Sequence, residues 1–321
     1  GTSNKKRLGA NAILSVSLAC IRAAAISHKE PLYKHIRRVF ALKENEWRLP
    51  VATMNLINGG RHADNDLSVQ EFMIVPLHKQ MRERIRMGSQ IFHSLASILR
   101  EKGYSTAVGD EGGFAPDLIN NEQALKLLMK AIEIAGFTPG KNVYLAMDVA
   151  ASEFYRNGKY YFINQRQVLT PDKMIRTLES WVKKYPIISI EDPLDEDDWE
   201  NWQILTKKLG KKTIIVGDDL FVTNVARIQK GINEKVGNAV LIKVNQIGTL
   251  SESIDAIYLA KKNNYKGSVS HRSGETADTF IADLAVAVNA EFIKTGSMSR
   301  SERIEKYNRL MKIEDELEKT V

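Results

Sequence analysis

A single cysteine, Cys20, among 321 residues leaves the chain without an internal disulfide or a cysteine metal centre, and makes a reducing cytoplasm the natural compartment. No P-loop and no Rossmann glycine fingerprint occurs, so two nucleotide-binding signatures are missing. Zinc-finger spacing and RNA-binding aromatic motifs are absent too, and no nucleic-acid partner is expected. Uninterrupted apolar runs are scarce. In "GTSNKKRLGANAILSVSLACIRAAA" the apolar stretch is broken by Asn11, Ser15, Ser17 and Arg22. It therefore reads as an Ala-rich helix burying Ile13, Leu14, Val16, Leu18 and Ile21, not as a signal peptide, and no stretch is expected to reach the length of a membrane span. "SWVK" and "KTG" imitate parts of a penicillin-binding signature, but no "SDN" lies between them. The chain opens on Gly1, as a fragment or a processed product would.

What the chain does have is bulk and a basic excess. Hydrophobic residues make up 43%, enough for a large core, and Lys plus Arg exceed Asp plus Glu by 46 to 39. The excess is scattered, which fits a phosphorylated small molecule as well as any larger anion. From Val143 onward, short branched runs alternate with amphipathic stretches: "VYLAMDVA", "IISIEDP", "TIIVGDD", "AVLIKVNQ", "YKGSVSHRS" and "EFIKTGS". Runs that are apolar throughout suit parallel strands buried on both faces. Their cadence predicts an α/β (β/α)8 TIM-type barrel, opened less regularly by "PVATMNLINGG" and "VQEFMIVP" as strands, then helices over 82–101 and 121–135. Thr170 and Pro171 mark a helix start, and a last amphipathic helix is expected over 299–318. A boundary near Trp47 separates residues 1–47, a helical segment, from the barrel at 48–321.

Each run ends in a polar residue: Asp148, Glu191, Asp218, Lys243, His271 and Lys294. In a barrel these converge on one face. Asp148, Glu191 and Asp218 offer a hard, oxygen-only pocket suited to Mg2+. In "ISIEDPLDEDDW" Glu191 is then the ligand, Asp195 to Asp198 serve the loop and the next helix's N-terminus, and Asp192 stays open. Two lysines at strand ends need a reason, either as counter-ions or as a base beside anion-holding groups, and a base needs a lowered pKa, which Mg2+ and Lys294 would supply for Lys243. "NGGRHADNDLSVQEFM" brings His62, Gln70 and Glu71 together, and "VGDEGGFAP" places Glu111 in a glycine-rich loop that permits close backbone approach to a ligand.

Those strings, with "MDVAASEF", "SIEDPLDEDDW", "VGDDLFVTN", "LIKVNQIGTLSESI", "SHRSGETADTFIADLAV" and "IKTGSMSRSERIEKYN", resemble the enolase family in order and over essentially the whole chain. The resemblance implies reversible dehydration of 2-phosphoglycerate to phosphoenolpyruvate in the cytoplasm, by a homodimer. It implies Mg2+ on Asp148, Glu191 and Asp218, Lys243 as the base at C2, and Glu111 as the acid with Glu71 beside it. His62, Ser270, His271, Arg272, Ser273 and Lys294 would hold substrate together with Glu71, Glu191 and Asp218, with Arg272 and Ser273 facing the phosphate. Lysine with Mg2+ is the pattern for deprotonation beside a carboxylate in this superfamily. The family also carries an N-terminal α+β domain, of which the last helical part is expected here, without the serine loop that helps bind a second Mg2+. The expectation is a chain that binds Mg2+ but turns over slowly by itself. The alternative is a non-catalytic barrel acting as a binding or scaffold protein.

Overall fold

The computed structural model describes residues 2, 4–43, 46–162 and 165–319. Its first elements are α1 (Ala10–Ser27) and α2 (Leu32–Val39). α1 buries Leu14, Ile21 and Ala25, a face set by steps of seven and four residues. Val16 lies on the opposite side and is 64% exposed, so its assignment to the buried face was wrong. A second correction concerns length. α1 spans 18 residues at a mean hydropathy of 1.6, which makes it long and apolar enough by composition to cross a membrane, because Ala, Ile, Leu and Val outweigh the polar interruptions. Here it lies along the barrel: Asn11 meets Asn245, Ser17 accepts from the Leu250 amide, and Arg22 pairs with Asp278.

The barrel begins with β1 (Val51–Asn58) and β2 (Glu71–Pro76), then α3 (Met81–Glu101) and α4 (Asn121–Ile134), the expected ββαα start. β2 runs antiparallel to β1 and to β3 (Val143–Asp148). Residues 149–186 are too many for one βα unit because they hold a small antiparallel sheet, β4 (Tyr155–Arg156), β5 (Lys159–Phe162) and β6 (Gln167–Leu169), before α5 (Pro171–Lys184). Thr170 caps α5 through the Lys173 amide, with Pro171 in the first turn. Next come β7 (Ile187–Glu191), α6 (Trp199–Leu209), β8 (Ile214–Gly217), α7 (Val225–Glu234) and β9 (Ala239–Ile242). The chain ends with α8 (Val244–Ile247), α9 (Leu250–Lys262), β10 (Lys266–Ser270), α10 (Phe280–Ala287), β11 (Phe292–Lys294) and α11 (Ser301–Glu318). The closed order is β1-β11-β10-β9-β8-β7-β3-β2.

Alternation along the strands explains why charge collects at one end. Counting back in twos from Asp148, Lys243 and Lys294 reaches Ala146, Leu241 with Ala239, and Phe292, and from Glu71 forward reaches Met73 and Val75. With Val216, two residues before Asp218, these residues make up the two small apolar clusters, distinct from the large core between strands and helices. They fill the barrel beneath the polar mouth. The final helix buries Arg303 and Lys306 as well as Tyr307 and Leu310.

Candidate active site

Polar side chains at the barrel mouth line a cavity of about 360 Å³: His62, Gln70, Glu71, Glu111, Asp148, Asp218, Lys243, Ser270, His271, Arg272, Ser273 and Lys294, with Arg61, Asp110, Glu153 and Asp219. Every residue named from the sequence as a site candidate is there except Glu191, which ends β7 and is 4% exposed behind Lys294. Glu71 reaches this face for a different reason from the others. β2 runs backwards, so its first residue, not its last, lies at the mouth.

Position around the ring sorts the charges. Carboxylates come from the neighbouring strands β2, β3 and β7 and from Asp218 just past β8, while cations and His271 come from β9, β10 and β11. Lys294 bridges the two arcs, with Nζ 2.8 Å from Asp148 Oδ2, 2.8 Å from Glu191 Oε1 and 3.1 Å from Glu71 Oε1. Burial opposes its charge, but those three carboxylates hold the ammonium well above its ordinary pKa. Lys243 donates to Asp218 Oδ2. Burial pushes Lys243 down and Asp218 overrides it, so its pKa lies above the ordinary value, opposite to what a base requires.

The carboxylates divide by their neighbours. Burial and the adjacent Asp148 drive Glu191 well up, whereas Lys294 outweighs burial at Asp148 and keeps it down. Glu71 and Glu111, with His62, bring one donor atom each within 4.8 Å of one another. Burial and the Glu111 charge push Glu71 well above the carboxylate range. Burial would raise Glu111 as well, but the His271 ring, His62 and Lys294 hold it well below. Two acids this close titrate as a pair, with Glu71 displaced up and Glu111 down.

Asp192, left open by the sequence, is a backbone clamp. It is 5% exposed, and its two oxygens accept the amides of Asp218 at 2.9 Å and Asp219 at 2.8 Å. Gln246 Nε2 holds the outer oxygen of Asp218 at 3.1 Å, and Asn55 Nδ2 reaches Glu111 Oε2 at 3.0 Å. Asn55, in the middle of β1, and Gln246, in α8, carry no sequence signal beyond polarity. The glycines of "VGDEGGFAP" also have another purpose than the one expected. A Cβ at Gly113 would lie 2.3 Å from Asn58 Oδ1, and one at Gly112 2.7 Å from the Ser299 carbonyl, so the loop is packed against protein, not left open for a ligand.

Metal fit follows from charge. Six buried carboxylates, Glu71, Glu111, Asp148, Glu191, Asp192 and Asp218, face two lysines, and all donors are hard oxygens, the combination a divalent cation satisfies. Asp148, Glu191 and Asp218 do not gather into one compact group here, because Lys294 and Lys243 occupy the space between them. Among the described residues the compact groups are His62, Glu71, Glu111 and Asp192, Asp218, Asp219. A larger, more apolar cavity of about 480 Å³ adjoins the mouth at Ser270, His271 and Arg272, between α1 and Phe280.

A closed α/β barrel with its charged side chains gathered at this end is the layout of a TIM-barrel enzyme. The description "Enolase, C-terminal TIM barrel domain" matches residues 46–321, and "Enolase, N-terminal domain" matches residues 1–36. The chain is 57% identical to the protein named "Enolase" from Elusimicrobium minutum (strain Pei191) over 320 residues, which cover 99% of this chain and 74% of that relative. The chain belongs to the enolase family, the phosphopyruvate hydratases, which are lyases with a general role in glycolytic dehydration. Membership implies a divalent metal and a small-molecule substrate.

Proposed function

We propose that this barrel interconverts 2-phosphoglycerate and phosphoenolpyruvate with Mg2+ on Asp148, Glu191 and Asp218. The observation that carries the reading is the ring position of the two proton-handling groups. β9, which Lys243 directly follows, and β2, which begins at Glu71, are four strands apart in a ring of eight, on opposite sides of the cavity. Lys243 then takes the C2 proton from one face of the substrate. The C2–C3 double bond forms, the C3–O bond breaks, and the hydroxyl leaves as water with a proton from the Glu71–Glu111 pair on the other face. Glu71 and Glu111 lie close enough to titrate together, so the acid is the pair and not Glu111 alone.

A bound Mg2+ supplies positive charge where the substrate carboxylate gains negative charge. With Mg2+ on Asp218, that carboxylate would share its negative charge between the metal and Lys243, and the contact that raises the lysine's pKa would weaken. Lys294, at the end of β11, is placed to hold the substrate carboxylate, while Arg272, Ser273, Ser270, His271 and His62 line the remaining wall, the first two toward the phosphate. A division near residue 47, a homodimer and a cytoplasmic location belong to the same reading, supported by the matched ranges 1–36 and 46–321 and by the family.

The test follows the ultraviolet absorbance of the enol phosphate after mixing with 2-phosphoglycerate and Mg2+, together with exchange of the C2 proton with solvent. Lys243→Ala is expected to lose both signals by about 100- to 10,000-fold, the usual contribution of a positioned base. Glu111→Gln is expected to lose dehydration and keep exchange. Exchange that survives Lys243→Ala unchanged would falsify the assignment.

A further inference from the structure

Arg303 is 1% exposed, yet among the described residues no carboxylate pairs with it. A buried cation without an anion is costly unless its donors are otherwise used. From the first turn of α11, Nη1 lies 2.6 Å from His271 Nδ1 and donates to the Arg272 carbonyl at 2.7 Å. Nη2 donates to the carbonyls of Asp110 at 3.1 Å and Ser273 at 2.6 Å. Room for it is kept by Gly296, where a Cβ would stand 2.8 Å from Arg303 Cδ. One turn on, buried Lys306 donates to the Thr276 carbonyl of the same loop.

Two consequences follow from a group that only donates. His271 Nδ1 must present its lone pair, so the ring proton is on Nε2, which faces Glu111 Oε1 at 3.3 Å. The carbonyls of 110, 272 and 273 also share one rigid planar fork, so the loop bearing Glu111 and the loop bearing Arg272 and Ser273 are held as one piece.

We infer that Arg303 is a positioning residue: it fixes the Nε2–H tautomer of His271 and couples the Glu111 loop to the loop that meets the substrate phosphate. Only the identity of that phosphate rests on the function proposed above. The lock itself does not.

The experiment uses the full chain labelled with 15N-histidine, in the wild type and in Arg303→Met, Arg303→Lys and Lys306→Met, with His271 assigned by its disappearance in His271→Asn. Long-range 1H–15N spectra are expected to show wild-type Nδ1 unprotonated and Nε2 protonated from pH 6 to 8. In Arg303→Met, folded by circular dichroism, Nδ1 gains a proton within that range, since Glu111 and Lys294 are the other charges facing the ring. Lys306→Met, which loses a neighbouring buried cation without touching His271, keeps the wild-type pattern. Turnover of 2-phosphoglycerate by Arg303→Met falls about 100-fold in kcat, as for a misplaced reacting group, with a smaller change in KM, and Arg303→Lys recovers part of it. A wild-type His271 protonated at Nδ1 overturns the inference whether or not any variant folds. So does a folded Arg303→Met whose Nδ1 stays bare throughout the range. A correct tautomer pattern in a chain inert toward 2-phosphoglycerate would keep the lock and remove only the substrate assignment.

Discussion

Asp219 stands next to Asp218 at the end of β8, and burial followed by the Asp218 charge pushes its carboxyl from 3.8 up to about 6. A carboxyl whose folded pKa is raised holds a proton that the unfolded chain has already released. Its contribution to stability is therefore present below the unfolded pKa and is lost as the pH rises through about 6. Glu71, Glu191 and Asp192 are shifted in the same direction, so the metal-free protein should weaken from pH 4 toward neutrality. Asp219→Asn does not titrate and should gain on the wild type over that interval. Thermal melts with chelator at pH 5 and pH 8 check this, and an advantage of equal size at both pH values would rule out Asp219 as a source.

The loop from Val108 to Phe114 shows how one element depends on others remote in sequence. Phe114 exchanges backbone hydrogen bonds with β1 at Leu56 and Asn58, and the Ser297 amide binds the Glu111 carbonyl. Gly112 has φ +85° and lies against the Ser299 backbone, so a side chain there meets both the left-handed conformation and a contact of 2.7 Å. Gly112→Ala should cost about 1–3 kcal/mol in urea unfolding, the size of a strained backbone position. It should also lower kcat, because Glu111 is the preceding residue. A variant with wild-type stability and activity would mean that the loop can move away from α11 freely, contrary to the packing described. In the acidic run after β7, element geometry likewise separates the roles: Asp198 caps α6 through the Asn201 amide, while Glu191 ends the strand and turns inward.

Across the whole molecule, the mouth divides into an arc of acids and an arc of cations, with a surplus of buried negative charge among the acids. A divalent cation relieves that surplus, so binding should stabilise the fold. At Mg2+ about 100-fold above its dissociation constant the gain is about 2.7 kcal/mol by mass action. Differential scanning calorimetry should show a Tm that rises with Mg2+ and falls back with chelator. Glu191→Gln should retain the fold and lose most of that shift; a shift of wild-type size in this variant would move the metal off Glu191.

The strand cadence, the cap at Thr170 and the polar residues that end each run are local properties, set by side-chain alternation and short-range hydrogen bonds, and the sequence by itself determined them. It also determined the family, since the motifs occur in order along the chain. Pairing needed the tertiary structure. Lys294 meets Asp148 across 146 residues, Arg303 meets His271 across 32, and Asp192 clamps the end of a different strand. Such contacts depend on barrel closure, which no local period encodes. For the same reason the sequence set Val16 in the core and read the glycines of the Glu111 loop as room for backbone approach to a ligand. Each of those depends on what lies opposite, and only the folded chain decides that.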